Sequence, residues 1–394
     1  MNKIIVTLLL CCSAHLTSAQ TADSTAWRNV FTDPQLRNLI GTALEHNADL
    51  RTANLNVEQA DAGLRMARLA MLPSLTVGAE GSLSDTKGQP TQKTYNIPVT
   101  LQWEVDLSGR LRGEKRAALA SYWSTAETER AVRLQLIASV ATHYYTLVMM
   151  DEQLRVTRQS MNNALQTVEV MEALKEVGMQ NEAAVSQARA AYLNIAASEK
   201  GLLHQLKTTE NALMVLIGEK HDSICRTTWG NTDVCIADTT TYAIETLANR
   251  PDVKAAEYAL KAQMAQVNVA RAAFYPQLTI SASAGWTNSV GEIVNPGQIL
   301  LNAIGSLVQP LFNKGQNRAN LRIAKARQEQ ALVAFNQALL AAGGELSDRS
   351  AALRSTACTG PSTPSASAVY STILMATALS CCQPARSVRR TMKW

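Results

Sequence analysis

The chain has 394 residues, 46% of them hydrophobic, and a formal net charge of +5. That charge is uneven: residues 349–394 hold six Lys and Arg and no Asp or Glu, leaving the first 348 residues at −1. Disorder is therefore not the default, and a basic nucleic-acid surface is excluded as the main function.

Met1-Asn2-Lys3, the apolar run Ile4 to Leu10 and the small residues Thr17-Ser18-Ala19 read as a secretory signal peptide over residues 1–19, cleaved after Ala19. Cys11 and Cys12 open a second reading, a lipidated N-terminus, against which the bulky Leu10 stands. No later apolar run approaches the ~20 residues a membrane helix requires, so entry into a membrane would have to be through strands.

Helical spacing of apolar residues predicts a helix from about Gln35 to Met71, closed by Pro73. A shift of 203 residues reproduces this stretch. Leu44, Asp49, Ala53, Ala62, Ala67, Arg68, Ala70, Pro73, Leu75 and Thr76 fall on Leu247, Asp252, Ala256, Ala265, Ala270, Arg271, Ala273, Pro276, Leu278 and Thr279. The chain is thus two structural repeats.

After Pro73, Leu75, Val77, Ala79 and Leu83 alternate with Thr76, Gly78, Glu80 and Ser82. Tyr95, Ile97, Val99, Leu101, Trp103 and Val105 likewise alternate with Asn96, Pro98, Thr100, Gln102, Glu104 and Asp106. Period two places two different solvents on the two faces. Leu278 to Trp286 repeats the pattern, and Ile299 to Gln309 alternates poorly. Such segments fit a transmembrane barrel, with half-buried strands of a soluble sandwich as the alternative. Four strands cannot close a barrel, and lipid does not tolerate an open edge, so strands would be shared between chains, twelve in a homotrimer. Glu80, Gln102, Glu104 and Asp106 are expected on its water-filled side.

Residues 110–217 lack proline, and the 64 residues between Gly113 and Gly178 hold no helix breaker. One helix there would run about 96 Å. Val140, Leu147, Leu154, Met161 and Val168 form a seven-residue seam facing another helix. Val177-Gly178-Met179 then turns the chain, and Glu182 to Ile217 runs back. Between the repeats, Cys225 and Cys235 flank a polar loop. In an exported chain they suit a local disulfide, with two unpaired thiols as the alternative.

In the second repeat a helical pattern runs from Gln316 to Leu346 and then stops. Residues 348–394 are rich in Ser, Thr, Ala, Cys and Arg, and read as out-of-frame translation beginning near Ser347 or Asp348; a specialised basic tail is the rival. The expected organisation is 1–19 signal peptide, 20–217 first repeat, 218–240 connector, 241–347 incomplete second repeat and 348–394 atypical tail. His15, His46, His143, His204 and His221 are scattered, and no phosphate loop, nucleophile elbow or metal pattern appears, so neither enzyme activity nor a cofactor is expected.

The chain resembles TolC-type outer-membrane efflux proteins, in particular those serving resistance-nodulation-division pumps. The residues that carry the resemblance are Trp27 with Phe31-Thr32-Asp33-Pro34-Gln35-Leu36, Leu72-Pro73-Ser74-Leu75, Trp103 to Arg112, Leu247 to Val253, Ala272 to Pro276 and Gln309 to Asn313. The resemblance implies a mainly α fold with a small β part: long antiparallel helices forming a periplasmic α-barrel, and four strands per chain in a trimeric twelve-stranded β-barrel. It further implies a mixed equatorial region, a periplasmic adaptor docking at a tip formed by Val177, Gly178 and Met179, and an inner-membrane transporter as energy source. The expected function is a passive conduit for drugs and other toxic small molecules. Family members continue to a second helical turn beyond the point where the pattern stops here, so impaired export is also expected. A type I protein-secretion channel and a periplasmic coiled-coil scaffold are the competing functions.

Overall fold

A computed structural model describes residues 26–85, 92–219, 224–228, 249–287, 298–310 and 312–357. The helices are α1 (Ala26–Val30), α2 (Pro34–His46), α3 (Ala48–Leu69), α4 (Arg110–Glu176), α5 (Glu182–Ile217), α6 (Pro251–Ala272) and α7 (Gln316–Ala357). The strands are β1 (Ser74–Val77), β2 (Glu80–Ser84), β3 (Gln92–Val105), β4 (Gln277–Thr287) and β5 (Gln298–Val308). The 203-residue shift carries α3 onto α6 end for end, and the span of β1 and β2 onto β4. Even so, the chain's two compact units cut across the repeats. One comprises Met1–Ala53, Arg130–Arg250 and Ala341–Trp394; the other comprises Asn54–Glu129 and Pro251–Leu340.

In the first unit, Asp33 caps α2 by accepting the Gln35 N–H at 2.8 Å, and Pro34 supplies the preset φ of a first helical residue. Leu36, Ile40 and Ala43, on one face, are fully buried. They join Val140, Ala141, Tyr144, Leu147 and Val148 of α4, Leu213 and Ile217 of α5, and Ile224 in one core. Four members of the expected seam are buried (Val140, Leu147, Leu154, Val168), while Met161 is half-exposed.

The single helix expected from Gln35 to Met71 is two helices, broken at Asn47, whose ψ of 129° is extended. The Asn47 amide explains the break: its oxygen accepts the Leu50 N–H and its nitrogen donates to the Leu216 carbonyl, each at 2.9 Å. The end of α5 is thereby tied to the α2–α3 junction. Another tie is the buried Asp33 carboxylate, which accepts from the Tyr144 hydroxyl at 2.6 Å and the Thr227 hydroxyl at 2.8 Å. Arg226 beside it binds Asp151 and Glu210, so the segment 224–228 is held on both α4 and α5.

In the second unit, α4 and α6 approach closely. A Cβ at Gly113 would lie 2.8 Å from Val269 Cγ2, and Ser124 Oγ donates to the Ala255 carbonyl at 2.9 Å. All strands form one antiparallel sheet in the order β1-β3-β4-β5, with β2 also on β3. β1 and β2 keep one register: Ser74 faces Gln102 and Ser84 faces Gln92. They are one strand interrupted opposite Pro98, which has no N–H to donate. The expected four strands therefore stand, including the poorly alternating β5.

A second expectation is corrected. The helix of the second repeat does not stop at Leu346 but continues to Ala357, because the residues after Leu346 hold no Gly or Pro until Gly360. Residues 358–394 lie outside the described residues.

Burial and the bond to Asp33 push the Tyr144 hydroxyl up to about 12, and burial does the same for Tyr145. A raised tyrosine pKa stabilises the fold below the unfolded value near 10, and that contribution is lost as pH rises through the folded value. Thermal unfolding in detergent should therefore show a steep loss of stability between about pH 10 and 12, blunted in Tyr144→Phe. At neutral pH the same variant should be destabilised by about 1.5–3 kcal/mol, since Asp33 loses a buried partner.

Candidate functional site

Three regions carry the features expected of a conduit: the two faces of the sheet, its junction with the helices, and the turn at the end of the α4–α5 hairpin. Register alone separates the two faces. Thr76, Thr100 and Ser283 lie in one row across β1, β3 and β4, continued by Asn302 on β5. The rows Gln102–Ser281 and Glu104–Thr279 share that face, as does Glu80 opposite Asn96. Leu75, Leu101, Ala282 and Ala303, and Val77, Val99, Ala284 and Leu301, form rows on the other face. Apolar side chains there stand in the open, with Leu301 at 81% exposure. Trp103 and Trp286 occupy that face near opposite ends of the sheet, six β4 positions apart, and are 39% and 41% exposed. At ~3.4 Å per residue this separates them by about 20 Å, in keeping with aromatic girdles around a lipid band. Ile304 breaks the polar face beside Ser281, which is why β5 alternates poorly.

Sequence reasoning placed Glu104 and Asp106 alike on the polar face of one strand, at the barrel mouth. The structure keeps Glu104 on that face but takes Asp106 off the strand. β3 ends at Val105, and Asp106 turns to cap α4, accepting the Leu111 N–H at 3.2 Å and the Arg112 N–H at 3.0 Å. Its carboxylate also pairs with the Arg112 side chain. Burial alone would raise its pKa, but the bonds from Arg112 and Leu111 prevail and hold it below the usual carboxylate value. Glu104 is clamped by Arg110, which also reaches Glu114. Sequence reasoning missed Arg110 and Arg112 as partners. The signal available was two acids and two arginines around Ser108-Gly109, where a strand gives way to a helix.

The expected turn is found. Gly178, at φ 76°, closes α4: its N–H binds the Lys175 carbonyl, and the Met179 N–H binds the Leu174 carbonyl, both at 2.9 Å. This is the pattern of a glycine C-terminal cap. Asn181 Oδ1 then accepts the Ala184 N–H and starts α5. Lys175–Glu182, Glu172–Arg189 and Arg158–Glu199 pairs link the two helices along the hairpin. Val177 and Met179 project at the turn, 69% and 72% exposed. Cys225 is an exposed thiol, and Cys235, its expected disulfide partner, lies outside the described residues. Among the described residues no group of His, Cys, Asp or Glu could hold a metal, and no helix is long and apolar enough to cross a membrane.

The Outer membrane efflux protein family model matches residues 39–219 and 244–357. The probable outer membrane lipoprotein SilC of Salmonella typhimurium is 31% identical over 330 residues, 82% of this chain and 71% of that protein. The cation efflux system protein CusC of Escherichia coli K12 is 30% identical over 336 residues, 84% of this chain and 73% of that protein. The toluene efflux pump outer membrane protein TtgF of Pseudomonas putida is 31% identical over 343 residues, 85% and 72% of the two chains. Among solved structures, CusC superposes with a TM-score of 0.76 at 26% identity, covering 90% of this chain and 89% of that one. The open state of the Neisseria gonorrhoeae MtrE channel gives 0.69 at 26% identity, covering 90% and 86%. The helical hairpin, the two-faced sheet and these likenesses lead to one assignment: the chain belongs to the outer membrane efflux protein family and is an outer-membrane channel component of a tripartite efflux pump.

Proposed function

We propose that three copies of the chain close a twelve-stranded barrel and act as a passive conduit for small toxic molecules. The observation that carries this reading is the sheet itself, with one apolar face, one polar face and two outer edges unpaired among the described residues. In lipid those edges require strands from other copies. Glu80 and Gln102 line the lumen, and Glu104 and Asp106 shape its mouth through their arginines. Relatives named for cations and for toluene differ widely in what they export, which supports an inert wall whose cargo is chosen elsewhere. A periplasmic adaptor docks at Val177, Gly178 and Met179, and an inner-membrane resistance-nodulation-division transporter supplies the energy.

The tail after residue 357 is out-of-frame translation in this reading, displacing the departure expected near residue 347, and it impairs export. The mature chain extracted from outer membranes should migrate as a heat-modifiable trimer, and a monomer soluble without detergent would refute the conduit. In a strain lacking its own channel, this chain should restore drug resistance less fully than a version whose frame is repaired after residue 357; equal resistance would remove the frameshift idea. Gly178→Ala, which meets no atom within 4 Å, should cost only the left-handed backbone strain of about 1–2 kcal/mol. With Val177→Ser and Met179→Ser added, adaptor capture should fall about tenfold, measured by cross-linking.

A further inference from the structure

Four helix ends meet one end of the sheet: α3 and α6 lead into β1 and β4, while β3 and β5 lead into α4 and α7. In these strand-proximal stretches, residues 62–72, 107–116, 264–276 and 312–327, there are twelve Lys and Arg and one acid, Glu114. The first 348 residues as a whole are nearly neutral, so this is a concentration of charge rather than an average property. Arg65, Arg110 and Arg112 are paired with Asp61, Glu104, Glu114 and Asp106. The other nine, Arg68, Lys115, Arg116, Arg271, Lys314, Arg318, Arg322, Lys325 and Arg327, have no carboxylate partner among the described residues.

Helix energetics accounts for Arg68 and Arg271, in the last turns of α3 and α6, but not for the cations at the starts of α4 and α7. The first turns of α4 and α7 contain no acid and include Arg110, Arg112 and Arg318, although the helix dipole there favours anions. Lys314, Arg318, Arg322 and Lys325 fall at helical spacing on one side of α7 and its start, and all are exposed. Between these cations and the strands comes an apolar layer, with Leu69, Leu72, Tyr275 and Phe312 each at least 60% exposed. Passing away from the sheet, the surface is thus apolar and then basic, the order a protein meets on leaving hydrocarbon for headgroups.

We propose that this basic collar binds anionic phospholipid headgroups of the periplasm-facing leaflet of the outer membrane. The inference rests on the sheet lying in that membrane. In that placement the guanidinium groups of Arg68, Arg271 and Arg318 reach the phosphodiesters. A water-filled lumen would not ask for an apolar layer beside the same residues.

The test uses the full chain in nonionic detergent, with phosphatidylglycerol or phosphatidylcholine added to the micelles and retained lipid quantified by native mass spectrometry. Phosphatidylglycerol should be preferred, and Arg318→Gln/Arg322→Gln/Lys325→Gln should lower its retention on the order of tenfold. Arg318→Lys/Arg322→Lys should preserve it, and 0.5 M salt should erase the preference. Equal retention of both lipids by a membrane-extracted wild-type chain overturns the collar alone. Displacement of phosphatidylglycerol by an equal concentration of inorganic phosphate also overturns it, in favour of a free-anion site. A wild-type chain that does not sediment with membranes overturns the membrane placement instead, and the collar with it.

Discussion

The structure depends on one requirement: each backbone N–H and C=O of the sheet must find a partner in a medium that offers none. Inside the chain the requirement is met by the β3–β4 ladder, which joins a strand of the first repeat to a strand of the second. It remains open at the outer sides of β1, β2 and β5 among the described residues. The repeats therefore cannot be independent domains, since neither could satisfy even its inner edge alone. The division of the chain into units follows from this, one gathering the strands of both repeats and the helix ends that serve them.

The other unit answers to a different constraint, burial of polar groups in a core made of helices. Asp33 is usable there only because Gln35, Tyr144 and Thr227 all donate to it. The same carboxylate starts α2, fixes α4 and holds the segment at Thr227. Asn47 does a similar double duty, starting α3 while tying down Leu216. Single side chains at helix starts thus set where long helices are gripped, and Val140 to Val148 with Leu213 fill the space between.

The junction between sheet and helices combines both constraints. A strand ends, a helix begins, and Asp106 and Glu104 become ligands for backbone N–H groups and arginines. The second repeat starts α7 with Gln316 after Gly315, as the first starts α4 with Arg110 after Gly109, both glycines at positive φ, but no acid lies between Gln298 and Gln316. The two junctions are therefore built differently on one backbone plan, and only the first carries the ionic clamp.

Much of this was legible in the residues alone. Periodicity gave the strands and their two faces, the absence of breakers gave α4, Gly178 gave its end, and the 203-residue shift gave the paired elements. These signals are local, since each depends on residues a few positions apart. What stayed hidden depended on distant partners. Asn47 breaks a helical pattern because Leu216 is within reach, Asp106 leaves the strand because Arg112 folds back onto it, and α7 outlasts its apolar stripe. The sequence by itself determined which elements form and which side of each is apolar, because side-chain spacing and backbone preference act within the element. Only the tertiary structure decided how the repeats interlock and which charges are spent on each other, because those outcomes rest on contacts between residues far apart in the chain.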